Sequence, residues 1–256
     1  MIYLKQFAFS EKKLADPFIY PYSIFVSKTK HELWFKPITV LYGSNGSGKS
    51  TLLNLLANKL DMVGKESVDT REYNEFLRDC QYLMNEKPID SRYIKSEDIL
   101  YEVKKIQQER ILRESYLQEQ IRKGKSLDEA TADLQTKEAW KQLERQKFAQ
   151  DKYSNGETAM QLFDDWFLPD SLYLLDEPEV SLSPQNQILL AEKLNQMARL
   201  LNCQFIIATH SPFMLGTLQG NIYNVDSNAM EEAVWTELEN IRVYFDFFKK
   251  HDKNIL

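Results

Sequence analysis

ITVLY-GSNGSGKST-LLNLLANKL, residues 38–60, sets a β-branched and aromatic run, a glycine-rich turn and a helical repeat of leucines end to end. Ile38–Tyr42 reads as a strand and Thr51–Leu60 as a helix, because its apolar residues recur at helical spacing. The turn between them, Gly43-Ser44-Asn45-Gly46-Ser47-Gly48-Lys49-Ser50-Thr51, fits G-x-x-x-x-G-K-S/T with an additional glycine at Gly46. Glycines let successive backbone N–H groups curl around phosphate oxygens. The Lys49 ammonium reaches β- and γ-phosphates, the Ser50 hydroxyl ligates Mg2+ at the helix N-terminus, and Thr51 adds a further phosphate contact. The strand and helix on either side make an ordinary glycine turn the poorer reading.

A phosphate loop calls for an acidic residue at the end of a neighbouring buried strand, and LYLLDE, Leu172–Glu177, supplies one. Asp176 is expected to hold Mg2+ through water, and Glu177 to orient or deprotonate the attacking water opposite the leaving phosphate. Gln185–Asn202 reads as an amphipathic helix. Phe205–Ala208 reads as a second buried strand ending in Thr209, His210 and Ser211, with Pro212 as the breaker. Strand, helix and strand in that order predict a right-handed parallel crossover.

Upstream, Ile2–Phe9, Ser23–Ser27 and Leu33–Phe35 read as short strands separated by Pro17, Pro21 and Pro37. From Tyr101 to Tyr153 the composition turns to Glu, Lys, Gln, Arg, Leu and Ala, which is helical. Gly124 and a Ser126-x-x-Glu129 capping box divide it in two, and its charged faces read as solvated surface. Glu231–Lys250 is expected to form a terminal helix whose Trp235, Leu238, Ile241 and Phe245 pack into the core. The fold class is therefore α/β, with a parallel or mixed sheet, antiparallel strands at the N-terminus and an inserted helical lobe.

Composition bounds the rest. The chain has 256 residues, 43% hydrophobic and 27% charged, enough apolar content for a substantial core. No run approaches the roughly 20 apolar residues that span a bilayer. Met1–Ser10 lacks the basic and apolar segments of a secretory signal, so a cytoplasmic protein is expected. Cys80 and Cys203 lack metal-ligand spacing and read as two reduced thiols. A net charge of −6 implies no general attraction to nucleic acid.

LDEPE at Leu175–Glu179 and ATH at Ala208–His210 follow the phosphate loop in the order found in the ATP-binding cassette (ABC) superfamily, which the chain resembles over most of its length. The resemblance implies a P-loop NTPase fold, a single ATPase domain over 1–256 with a helical lobe at about 97–153 inserted before the signature motif, and ATP with Mg2+ as cofactors. It implies that His210 contacts the γ-phosphate. It also implies that Ser154-Asn155-Gly156-Glu157 is the signature peptide, with Ser154 and Gly156 reaching a partner subunit's γ-phosphate, although transporters carry a second glycine in place of Asn155 and usually Gln in place of Glu157. Ser181-Leu182-Ser183-Pro184 would be the loop facing the partner. The family's lobe-linking glutamine has no secure place: Gln81 lies near a strand, whereas Tyr93–Glu97 looks like the strand-to-lobe junction and holds no glutamine. Tyr20 and Tyr22 are candidates for stacking on adenine.

The S-x-G-E signature, PEVSLSP and THSPFML resemble the soluble AAA-family and SMC-like small ATPases of chromosome maintenance and phage defence. That branch implies an ATP-driven homodimer coupled to an effector protein or nucleic acid. The alternative is the ATP-binding subunit of an ABC transporter.

Overall fold

The structure, a computed structural model, describes residues 1–11, 18–133 and 155–252. They form two compact units, Met1–Ser96 with Asp165–Leu256, and Glu97–Asp164.

The first unit holds two sheets. Strands β1 (Leu4–Ala8), β2 (Glu32–Trp34) and β4 (Gln81–Met84) make an antiparallel sheet in the order β2-β1-β4. Strands β3 (Ile38–Tyr42), β5 (Asp90–Lys95), β6 (Ser171–Asp176), β7 (Gln204–Ala208) and β8 (Asn221–Asn224) make an all-parallel sheet in the order β5-β6-β7-β3-β8. Every residue of β3, β6 and β7 is buried, which is why these strands read as continuous apolar runs rather than alternating ones. The helix Lys49–Lys59 leaves the glycine turn and buries Leu52, Leu53, Leu55 and Leu56. The helix Pro184–Leu200 returns from β6 to β7; Ser183 caps it by accepting from the Asn186 N–H, and Pro184 fills the first turn, where no N–H is needed.

Among the described residues, side chains join the two sheets at two places: the Tyr223 hydroxyl of β8 donates to the Trp34 carbonyl of β2 at 2.9 Å, and Gln204 ties β7 to β1. Gln204, fully buried at the start of β7, accepts from the Tyr3 and Leu4 N–H groups at 2.8 Å each. Its amide nitrogen donates to the carbonyls of Leu4 at 2.8 Å and Lys36 at 3.1 Å. All the hydrogen-bonding capacity of the amide is used, at the junction where β1 meets the parallel sheet.

Two sequence expectations are corrected. Ser23–Ser27 is not a strand: Tyr22–Phe25 is a helical turn. Its aromatic residues sit three apart and pack together on Phe76, with ring centroids 4.7 Å away for Tyr22 and 5.9 Å for Phe25. This long-range packing outweighs the local preference. The terminal helix is shorter than expected. A 3-10 turn at Trp235–Glu237 precedes Glu239–Lys250, because Leu238 is extended between them. Leu238 and Ile241 are buried as expected, but Trp235 and Phe245 are exposed, with Phe245 at 63%.

The second unit begins with the 27-residue helix Ser96–Arg122, broken at Gly124 as the sequence indicates. The capping box is formed: the Glu129 carboxylate accepts from the Ser126 N–H at 2.9 Å and the Ser126 hydroxyl accepts from the Glu129 N–H at 3.3 Å. Helices Leu127–Asp133 and Asn155–Trp166 follow among the described residues, and the expected helix over 134–153 lies outside them.

Replacing Gln204 by Leu would strand the buried N–H groups of Tyr3 and Leu4. Urea unfolding of Gln204→Leu is expected to show a loss of about 3 kcal/mol or more; a loss under about 1 kcal/mol would mean the sheets do not depend on this amide.

Candidate active site

Register decides what meets at the C-terminal edge of the parallel sheet. Lys95 lies opposite Asp176, Asp176 opposite Ala208, Ala208 opposite Leu41, and Leu41 opposite Tyr223. The row crosses all five strands, with β5, β6 and β7 ending on it and β3 and β8 one residue later, and the residues just beyond are Gly43 after β3, Glu177 after β6 and His210 after β7. Such an edge is where ligands bind in open parallel sheets.

The turn after β3 takes the shape its glycines permit. Gly46 and Gly48 have φ of 83° and 100°, in the left-handed region that side-chain-bearing residues avoid. A Cβ on Gly48 would also stand 2.4 Å from the Cγ2 of Ile24, so the helical turn Tyr22–Phe25 covers the loop. Lys49, the first residue of the helix, is buried, and its ammonium donates to the carbonyls of Gly43 at 2.7 Å and Ser44 at 3.0 Å.

The acidic pair sits alongside. Glu177 has φ 48°, a strained value for a residue with a side chain, in the turn that leaves β6. Its N–H donates to the Ala208 carbonyl at 2.9 Å. Its carboxylate lies 4.0 Å from the Lys49 ammonium and 3.2 Å from Nδ1 of His210. The buried Asp176 accepts through Oδ2 from the Tyr93 hydroxyl at 3.1 Å, while Oδ1 is buried with no partner among the described residues. Burial pushes the Asp176 carboxyl above the usual carboxylate range; hydrogen bonds from Ser50 and Tyr93 oppose this, Glu177 adds to it, and Lys49 pulls it down. A buried carboxylate oxygen with no donor, next to the Ser50 hydroxyl, is a donor set that fits a hard divalent cation such as Mg2+.

A family described as ABC transporter matches residues 27–180, more than half of the chain. The chain belongs to the ABC-type P-loop ATPases. It is accordingly an ATP-hydrolysing enzyme, of a family that binds ATP, usually with Mg2+. A second family, described as AAA ATPase domain, matches residues 160–215. No curated protein matches the chain. Among solved structures it is similar to cbiO1 from Clostridium perfringens, part of the ABC transporter complex cbiONQ, at 16% identity over 100% of this chain and 98% of that one, with a TM-score of 0.48. It is also similar to the SMC head domain from Thermotoga maritima, at 14% identity over 87% and 94% with a TM-score of 0.43. At these identities the likenesses say nothing about what this ABC-type ATPase acts on.

The structure brings Gly43 to Thr51, Asp176, Glu177 and His210 together. Ser154 lies outside the described residues, and Gly156 falls in the first turn of Asn155–Trp166. Gln81 does not belong to this edge: it opens β4 in the antiparallel sheet, paired with Ala8. The Tyr93–Glu97 junction is where the sequence placed it, with β5 ending at Lys95 and a helix starting at Ser96. Tyr22 is buried edge-on against Phe76 and offers no free face. Tyr20 is 37% exposed and stacks on Tyr73, with ring centroids 5.8 Å apart.

Three residues of the site escaped sequence reading. Tyr93 reaches Asp176 across adjacent strands. Thr209 hydrogen-bonds the Glu179 carboxylate. Asp226, just past β8, accepts from the Ser44 N–H at 3.0 and 2.9 Å through its two oxygens and from the Ser44 hydroxyl at 2.7 Å. Neighbouring Lys28 donates to the carbonyl of Val225 at 2.6 Å; burial lowers its pKa and Asp226 opposes that shift. The partners of Asp226 are 182 positions away in sequence, so no local pattern could have announced it.

Asp226→Ala would free the opening of the phosphate loop. Its ATP dissociation constant, measured by fluorescent-nucleotide titration, is expected to rise about tenfold, equivalent to about 1.4 kcal/mol. An unchanged constant would mean that the loop holds its shape without Asp226.

Proposed function

We propose that this ATPase binds Mg-ATP on Gly43–Thr51, with Ser50 and Asp176 as the metal-holding residues, and that Glu177 is its catalytic base. One observation carries the reading: Glu177 stands between the Lys49 ammonium and the His210 imidazole, at 4.0 and 3.2 Å, beside the unpartnered Asp176 oxygen. The loop N–H groups and Lys49 hold the phosphates and draw off charge as it moves toward the leaving oxygen. The Glu177 carboxylate accepts a proton from, or orients, the attacking water, and the strained turn fixes its direction. His210, on the other side of that carboxylate, is placed to donate to the γ-phosphate. Mg2+, when bound, supplies neutralising charge on the β- and γ-phosphate oxygens.

The proposal extends to organisation. A single ATPase domain with a helical lobe at about 97–153 closes on ATP as a head-to-tail homodimer, with Ser154 and Gly156 completing the partner's site. Dimerisation is typical of ABC-type ATPases, and the exposure of Ser181, Ser183 and Pro184 just after the acidic pair supports a partner-facing role for that loop. Closure would be coupled in the cytoplasm to a DNA-processing or defence effector. The second reading, an ATP-binding subunit of a transporter, is favoured by the family match over 27–180. No helix among the described residues is long and apolar enough to cross a membrane.

Glu177→Gln blocks hydrolysis and should trap any closed dimer. Its molar mass in solution with Mg-ATP is expected to be twice that without nucleotide. A monomer at saturating Mg-ATP would exclude a self-contained homodimer.

A further inference from the structure

Glu179 is the one acidic residue of the LDEPE run that the proposed chemistry leaves unused, and it is the most deeply buried of the three, at 6% exposure. A carboxyl group is costly to bury without purpose. The Thr209 hydroxyl donates to its Oε1, while Oε2 is buried with no partner among the described residues. The same hydroxyl accepts from the Ser211 N–H at 3.0 Å, so both of its hydrogen-bonding roles are spent between Glu179 and the backbone that follows His210.

The surrounding bonds link two segments. On one side, the Glu179 carbonyl accepts from the Leu182 N–H at 2.9 Å and the Glu177 carbonyl from the Val180 N–H at 3.1 Å, folding the chain after β6 into a tight turn. On the other, the Ser211 hydroxyl accepts from the N–H groups of Phe213 and Met214, and donates to Gln187 at 2.6 Å. Gln187 in turn donates to the Leu182 carbonyl at 2.9 Å. The turn that aims Glu177 and the strand end that aims His210 are thus linked at three points, the Glu177 N–H to the Ala208 carbonyl, Glu179 to Thr209, and Leu182 to Ser211 through Gln187, and Glu179–Thr209 is the direct side-chain brace among them.

We propose that Glu179 is a positioning residue: through Thr209 it locks the Glu177 turn to the His210 strand end and so holds the carboxylate and the imidazole at their working separation. The inference rests on the proposed roles of Glu177 and His210. Burial holds the Glu179 carboxyl above its usual range; the Thr209 bond and nearby His210 oppose this, and Glu177 adds to it.

The test measures kcat and ATP KM for Glu179→Ala, Thr209→Val, their combination, and Glu179→Gln, whose amide oxygen still accepts from Thr209. Each of the first two is expected to lower kcat roughly 10- to 100-fold, since small misplacements of reacting groups cost that much, with KM within about twofold. The double variant should be no worse than the poorer single one, because both remove the same link. Glu179→Gln should keep kcat within about fivefold of wild type. Near-wild-type kcat in Glu179→Ala or Thr209→Val, losses that multiply in the double variant, or a Glu179→Gln as impaired as Glu179→Ala would each overturn the proposal. Should Glu179→Ala not fold, Thr209→Val alone decides. Glu177→Gln run in parallel separates the two claims: continued turnover there refutes the catalytic reading, whereas its loss beside fully active Glu179→Ala and Thr209→Val refutes only the positioning role.

Discussion

Backbone register across the parallel sheet is the constraint on which the site depends. Because Asp176, Ala208 and Leu41 lie on one hydrogen-bonded row, the loops that leave β6, β7 and β3 start at the same height. A slip of one residue in either pairing would turn every side chain of that strand to the opposite face. Asp176 would then exchange places with its neighbours, and Glu177 would lose its N–H contact with Ala208. Because β3, β6 and β7 are buried on both faces, such a slip is resisted by the close packing of unlike side chains rather than by an apolar–polar alternation. Gln204 adds a polar check, since its amide satisfies β1 only in the observed register.

Charge at this edge is handled by mutual proximity rather than by solvent. Lys49 is buried yet has two carbonyls and Glu177 within reach, and Asp176 has Ser50, Tyr93 and Lys49 around it. Around the buried Lys49 and Asp176, fixed dipoles take the place of water. That pre-organisation is what a phosphoryl-transfer site supplies, because the protein does little covalent chemistry there.

The parts legible in the sequence were those whose cause is local or strictly periodic. The phosphate loop declared itself through glycines that need left-handed φ and a lysine at fixed spacing. The buried strands showed as apolar runs, and the Ser126–Glu129 capping box as a spacing of three. What escaped was decided by distant contacts. Tyr22–Phe25 has strand-like composition but coils because Phe76 receives its aromatic face. Trp235 follows helical spacing with Leu238 and Ile241, yet the extended Leu238 separates it from the helix and breaks the phase; Phe245 shares the helix of buried Ile241 but is exposed. Asp226, Tyr93 and Thr209 gain their meaning only when strands far apart in the chain end side by side.

The most direct test of the account compares wild type with Glu177→Gln for equilibrium Mg-ATP binding and steady-state hydrolysis under the same conditions. Glu177 as the base predicts Mg-ATP affinity within a few-fold of wild type and turnover reduced at least about 100-fold. Turnover by Glu177→Gln near the wild-type rate, with binding intact, would contradict it and move the proton acceptor elsewhere on this edge.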